Sequence, residues 1–164
     1  MQLVVLGLNH RSAAVEVRER FSFEKNEVES ALNRLYEYEK ISECVILSTC
    51  NRTEIYAVLE DVQSPKAYML DVLKHLKHAD TIDESAFFFY EEKACIEHLF
   101  RVSASLDSLV LGEGQILSQL KGAYIAAYSA GFTGTVFNIL FQRAISVGKK
   151  VRTNTGIANT PVSV

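Results

Sequence analysis

Over residues 1–92, short apolar runs alternate with segments of helical period in the order β-α-β-β-α-β, and this order constrains the fold more than any other feature. Gln2–Leu8 is an apolar run ending in Gly7-Leu8-Asn9-His10, which reads as a strand and its exit turn. Val15–Phe21 predicts a short helix with Arg18, Glu19 and Arg20 turned outward. Ser22 is placed to cap the next helix, with Glu24 and Glu27 near its positive end. Val28, Ala31, Leu32, Leu35 and Tyr38 then recur at helical spacing. Val45–Leu47 predicts a buried strand, and Glu54–Leu59 alternates as a second. Ser64-Pro65 opens a further helix, with Tyr68, Met69, Val72, Leu73 and Leu76 as its apolar face. Ala86–Tyr90, aromatic and short, closes the series as a fourth strand. This is the split-βαβ, or ferredoxin-like, arrangement.

Beyond Glu91 the pattern is helical throughout, over residues 91–105, 113–130 and 133–151. The expected class is therefore α+β, a ferredoxin-like subdomain (1–92) followed by a helical bundle (93–153). From Thr153 the chain turns to Thr, Asn, Gly, Ala and Ser, so 154–164 reads as a truncated connection or the cap of a helix further on. At 48% hydrophobic and 23% charged residues the composition is that of a soluble globular protein. A net charge of −3 gives no global attraction to nucleic acid, so any RNA contact must rest on a local patch. No apolar run reaches membrane-spanning length, Met1 leads directly into a strand, and three widely spaced cysteines suit a reducing compartment. The expected location is the cytoplasm, with no membrane partner.

Between the two central strands lies Ser48-Thr49-Cys50-Asn51-Arg52-Thr53, a polar connection without the Gly or Asp-Gly that tight hairpins favour. A thiol, a guanidinium, hydroxyls and an amide occupy it instead. Loops held by rigid strands are where function concentrates, yet a free cysteine near a strand end is as readily a small buried residue. The loop alone leaves both readings open for Cys50.

Other constellations have bland alternatives. His75 and His78 share a helix face, as do Cys95 and His98, but no metal-ligand spacing is present, and the former pair reads as a solvated cationic helix end. His98 fits either a satisfied core histidine or a functional one. Gly112-Glu113-Gly114-Gln115 imitates the start of a dinucleotide fingerprint, but Leu117 stands where the third glycine is required and a helix precedes it. It reads either as a polar helix start or as donors and acceptors, with Gln119 one turn on, arranged for a small polar ligand. Arg143, Lys149, Lys150 and Arg152 complement a helix C-terminus or touch an RNA backbone.

Several blocks together resemble the glutamyl-tRNA reductase family. They are Ser48-Thr49-Cys50-Asn51-Arg52-Thr53-Glu54, Glu97-His98-Leu99-Phe100-Arg101-Val102, Leu106-Asp107-Ser108-Leu109-Val110-Leu111-Gly112-Glu113 and Gly114-Gln115-Ile116-Leu117-Ser118-Gln119. Leu6-Gly7-Leu8-Asn9-His10-Arg11-Ser12-Ala13, Gly134-Thr135-Val136 and Val147-Gly148-Lys149 follow the family's order too, so the resemblance covers the whole chain. Two positions depart from the pattern: Gly114 stands where members usually carry Thr or Pro, and Ser118 replaces the commoner Gly.

The resemblance implies an N-terminal catalytic domain, with an NADPH-binding domain and a helical dimerisation domain beyond it. It implies glutamyl-tRNA(Glu) as substrate, NADPH as cofactor of the full-length enzyme with none bound by this stretch, a homodimer, and the downstream aminomutase as a partner. Cys50 would attack the aminoacyl ester to give a thioester, which hydride reduces to glutamate-1-semialdehyde, the first step of tetrapyrrole synthesis. Arg52 would activate the thiol or grip the substrate carboxylate, the second duty being preferred. Thr49, Asn51, Ser108, Glu113, Gly114, Gln115 and Gln119 would complete the substrate pocket, Glu113 being suited to the aminoacyl ammonium. His98 matches the family's functional histidine, a side chain suited to proton transfer at neutral pH. The alternative is a non-catalytic ferredoxin-like RNA-binding or regulatory module. The aromatics such a module needs, Phe87-Phe88-Phe89-Tyr90, stand here among Glu84, Glu91 and Glu92.

Overall fold

The structure is a computed structural model that describes residues 1–159. Four strands, β1 (Gln2–Asn9), β2 (Ile41–Ser48), β3 (Arg52–Leu59) and β4 (Phe88–Glu91), form one antiparallel sheet in the order β2-β3-β1-β4. Helices α1 (Val15–Phe21) and α2 (Lys25–Leu35) join β1 to β2, and α3 (Pro65–Lys77) joins β3 to β4. Then come α4 (Glu92–Ser103), α5 (Gln115–Ser129) and α6 (Thr135–Asn154). The fold is α+β, as the order of periodicities predicts.

Element boundaries shift for local reasons. Ser22 ends α1 rather than capping α2, its hydroxyl donating to the Glu19 carbonyl at 2.9 Å. The cap of α2 is Glu24, with Glu27 three residues on accepting from the Glu24 N–H at 2.8 Å. The last strand starts at Phe88, because Asp83 accepts from the Ser85 N–H and folds Glu84–Ala86 into a short 3-10 turn. Helix α6 runs through Thr153 and Asn154, followed by another 3-10 turn at Gly156–Asn159. The rest of the expected connection, residues 160–164, lies outside the described residues.

The difference that matters most is at β3. An alternating strand predicts one wet face, yet all eight residues from Arg52 to Leu59 are buried. Helices α1–α3 cover one face of the sheet, while α4 packs on β1 and α5 and α6 on β2. Tyr56 of β3 meets the Phe141 ring of α6 edge-on, with centroids 5.5 Å apart. One continuous apolar cluster therefore runs from the first helices through the sheet to α6. Burying each large apolar side chain in it contributes about 1.5–3 kcal/mol, which holds the later helices to the sheet. Gly7 in β1 permits a further close approach. A Cβ there would lie 2.6 Å from the Phe88 ring and 2.9 Å from Glu54 Cγ, so its absence makes room for the Glu54 side chain on β3.

Candidate active site

Only Thr49, Cys50 and Asn51 connect β2 to β3, and none of them takes a positive φ. The Thr49 hydroxyl substitutes for the missing glycine. It accepts from the backbone N–H groups of Asn51 and Arg52, both at 3.2 Å, while the Thr49 N–H donates to the Arg52 carbonyl at 2.8 Å. The tip is also tied to the turn after β1, where the His10 N–H donates to the Asn51 carbonyl at 3.0 Å. This leaves Cys50 exposed at the apex of a constrained loop. Cys44 and Cys95 are buried, and that burial pushes their thiols well up in pKa. Only Cys50, of the three, is an accessible thiol.

Beside the tip opens a cleft of about 580 Å³, lined by Asn51, Leu109, Val110, Glu113, Gly114, Gln115, Ser118 and Gln119. A narrow notch continues inward past Thr49, Cys50, Arg52, Ser108 and Ile116. The structure thus gathers Thr49, Cys50, Asn51, Ser108, Glu113, Gly114, Gln115 and Gln119 around one space, drawing on the hairpin, the α4–α5 loop and the first turn of α5. That loop is held by Ser105, whose hydroxyl donates to the Glu113 carbonyl at 2.8 Å, and by Arg152 of α6, which donates to the Gly112 carbonyl at 3.1 Å. Arg152 also bears on Gly114, where a Cβ would come within 2.9 Å of its Nη2. The glycine at this unusual position lets the guanidinium lie over the loop.

Arg52, expected to face a substrate carboxylate, has its partners inside the protein. Its side chain is 2% exposed; Nη1 donates to Glu54 Oε1 at 2.8 Å and to Asp107 Oδ2 at 3.1 Å, and Nη2 donates to the Asp107 carbonyl. The reason is the period of the strand: Arg52, Glu54 and Tyr56 share the face that α4–α6 cover. Glu54 is fully buried and also accepts from the Tyr56 hydroxyl at 2.6 Å, and its Oε1 lies 2.9 Å from His98 Nε2. Burial alone would raise the Glu54 carboxyl. The hydrogen bond and charge of His98, the Arg52 charge and the Tyr56 hydroxyl outweigh it and hold the carboxyl below its ordinary range. Burial and the neighbouring Glu54 charge push the Tyr56 phenol well above its own. On Arg52, burial favours loss of the proton, but Glu54 and Asp107 prevail and strengthen the cation.

His98 sits on α4 at 7% exposure, against the stacked rings of Phe88 and Tyr90 at centroid distances of 5.0 and 5.2 Å. It does not line the cleft; Glu54 and Arg52 connect it to the base of the Cys50 loop. Glu54, Tyr56 and Asp107 carry no separate role in the sequence reading, although two charges at alternate positions of an otherwise apolar strand were a signal available there. Among the described residues, no three His, Cys, Asp or Glu side chains group to hold a metal ion. Gly112 does take a left-handed backbone (φ +82), but a helix rather than a strand leads into its loop. A Cβ on Gly112 would run into the Ile157 carbonyl, and Arg152 occupies the Gly112 oxygen, so the loop is packed against its own protein rather than open to a pyrophosphate.

Residues 6–155 match the family model described as Glutamyl-tRNAGlu reductase, N-terminal domain. The chain is 44% identical to a glutamyl-tRNA reductase of Carboxydothermus hydrogenoformans, 47% to one of Pelotomaculum thermopropionicum and 42% to one of Bacillus subtilis. Each comparison takes in 100% of this chain but only 36–37% of the relative, so the chain spans little more than a third of those proteins. Among solved structures, glutamyl-tRNA reductase from Methanopyrus kandleri superposes with a TM-score of 0.80 at 34% identity, over 98% of this chain and 37% of that one.

Proposed function

The chain belongs to the glutamyl-tRNAGlu reductase N-terminal domain family, and from that membership we propose that it performs the acyl-transfer half of a reaction converting glutamyl-tRNA to glutamate-1-semialdehyde. The observation that carries this reading is the single accessible thiol, Cys50, at the mouth of a cleft lined by amides and a carboxylate. The sulfur attacks the ester carbonyl linking glutamate to the terminal ribose. A C–S bond forms, the ester C–O bond breaks, and the ribose hydroxyl departs with a proton, leaving a glutamyl thioester on Cys50. Glu113 is positioned to meet the ammonium of the aminoacyl group, and Ser108, Asn51 and Gln119 to orient its polar atoms. Thr49 acts through its hydroxyl, which accepts from the Asn51 and Arg52 backbone N–H groups and fixes the loop that aims the thiol.

Arg52 and His98 are assigned positioning roles. Arg52 fastens the hairpin to the Asp107 loop, and His98 fastens Glu54, so both walls of the cleft are braced by one buried cluster. The family implies NADPH, which supplies hydride when bound. The turn at Gly112, packed against Ile157 and Arg152, does not fit it, and we assign its binding to a part of the full-length protein outside this chain. The reading places the reaction in the cytoplasm, with the complete enzyme a dimer that hands its aldehyde to an aminomutase. Among the described residues, no helix is long and apolar enough to cross a membrane.

Mixing the protein with glutamyl-tRNA and mapping adducts by peptide mass spectrometry tests the proposal. The expected result is a glutamyl adduct on Cys50 or release of free glutamate, unchanged by NADPH. Intact glutamyl-tRNA with unmodified Cys50 refutes it.

A further inference from the structure

The bonds that close the hairpin leave one backbone donor over. The Thr49 N–H donates to the Arg52 carbonyl, and the N–H groups of Asn51 and Arg52 donate to the Thr49 hydroxyl. The Cys50 N–H has no acceptor among the described residues. It belongs to the residue that carries the exposed thiol. A second donor without a partner stands on the α4–α5 loop. Ser108 is only 8% exposed, yet its hydroxyl makes no hydrogen bond to the protein among the described residues. A polar side chain buried to that extent is nearly always satisfied.

The Ser108 hydroxyl is unpaired but not sealed in. Among the described residues, the fully enclosed side-chain atoms without a partner are His10 Nδ1 and Arg18 Nε, so Ser108 Oγ opens onto free space. That space is the narrow notch at the inner end of the cleft, whose wall Ser108 shares with Cys50. Its free volume is about 10 Å³, room for a single water-sized atom. The wall is also held in place. Arg52, at the base of the hairpin, grips both the carboxylate and the carbonyl of Asp107, the residue before Ser108. Two fixed donors therefore border a one-atom space beside a nucleophile. Resting on the reading of Cys50 above, we infer that this notch is an oxyanion hole, in which the Ser108 hydroxyl and the Cys50 N–H receive the carbonyl oxygen of the ester under attack.

Acyl transfer to sulfur requires such a place. As the S–C bond forms, the carbonyl π pair moves onto oxygen while the C–O bond to ribose is still intact. The oxygen is then an anion with no cation bound to it, and it needs donors. When the C=O bond re-forms, the ribose C–O bond breaks, and the ribose oxygen takes up the proton that the thiol has lost. Donors fixed beforehand need no rearrangement at that moment, so they favour the transition state over the ground state. Charges bordering the notch act in both directions. Arg52 favours an anion there, although Glu54 and Asp107 offset its charge. Glu113 opposes one until the substrate ammonium assigned to it is in place. The two neutral donors are thus the groups whose effect on the oxygen is direct.

The experiment compares the parent protein with Ser108→Ala on three reagents, following modification of Cys50. Glutamyl-tRNA and p-nitrophenyl acetate both acylate sulfur through an oxyanion. Iodoacetamide alkylates the same sulfur by displacement at a saturated carbon, where no oxyanion forms. Ser108→Ala is expected to slow both acylations on the order of a hundredfold, the scale for loss of one oxyanion donor, and to leave alkylation at the parent's rate. A second measurement needs no variant. Cys50 of the parent should prefer p-nitrophenyl acetate over its thiono (C=S) analogue more strongly than free glutathione does, because sulfur is a weak acceptor. A preference equal to glutathione's overturns the hole, as do unchanged acylation rates in Ser108→Ala or acylation and alkylation slowed alike. Slowing with glutamyl-tRNA but not with p-nitrophenyl acetate also overturns it, and makes Ser108 a contact to the glutamyl group instead. Failure of glutamyl-tRNA to acylate the parent overturns the substrate reading, while the nitrophenyl esters still decide the hole.

Discussion

Replacing Arg52 by lysine keeps one positive charge at the base of the hairpin but removes the fork. In the structure the guanidinium serves three acceptors: Glu54 at 2.8 Å, the Asp107 carboxylate at 3.1 Å and the Asp107 carbonyl. A lysine ammonium on a shorter stem can satisfy Glu54 but not also the two Asp107 groups. Loss of a hydrogen bond to a charged group costs about 1.5–3 kcal/mol, and a buried acceptor left unsatisfied about 1–3 more. Asp107 retains Arg11 at 3.1 Å, which trims the total. The expected destabilisation is about 2–4 kcal/mol, or a fall in Tm of roughly 4–16 °C for a domain of this size. Were Arg52 instead a substrate-facing fork with no internal partner, the same substitution would move stability by no more than about 0.5 kcal/mol. Urea and thermal unfolding of Arg52→Lys, Asp107→Asn and the double variant decide between these. The double-mutant cycle should give a coupling of about 0.5–3 kcal/mol. A Tm equal to the parent's with zero coupling would refute the brace and return Arg52 to substrate recognition.

Cys50→Ser should abolish the glutamyl adduct, while Cys44→Ser and Cys95→Ser leave it in place; a thiol reagent on the native protein should label Cys50 first, because the other two are buried. Glu113→Ala and Gln119→Ala, both at the cleft wall, should raise the substrate concentration needed for half-maximal acylation and change unfolding by within about 0.5 kcal/mol, as read from paired kinetics and melts. Acid should weaken the fold through Glu54. Its carboxyl is held below the ordinary carboxylate value, so its contribution is complete above that value and is lost as pH falls through the lower folded one. Urea midpoints measured between neutral and strongly acid pH should therefore drop below about that value in the parent and drop less in Glu54→Gln. His98→Asn should slow acylation and shift its pH profile with little change in apparent substrate affinity, the result that separates positioning of the cleft from loss of a binding contact.

The order of strands and helices was legible in the chain because each element carries its own period, and periodicity needs no knowledge of neighbours. The hairpin was legible for a similar reason: Thr49, Cys50 and Asn51 fall between two β-type runs, and the hydroxyl that stabilises their turn lies within the same few residues. The grouping of Ser108, Glu113, Gln115 and Gln119 followed from family likeness, since nothing local links them to residue 50. What the sequence could not decide was which of its polar side chains face water. A strand's alternation marks two faces but not what covers each, and the cover on the Arg52, Glu54 and Tyr56 face comes from helices formed by residues 92–154. Asp107 reaches Arg52 across 55 positions and His98 reaches Glu54 across 44. These contacts exist only once α4–α6 have docked on the sheet. Docking takes water from Arg52 and Glu54 together, and a desolvated charge must find an opposite partner at hydrogen-bond distance. That requirement turns an arginine that reads as a substrate ligand into the internal brace of the cleft.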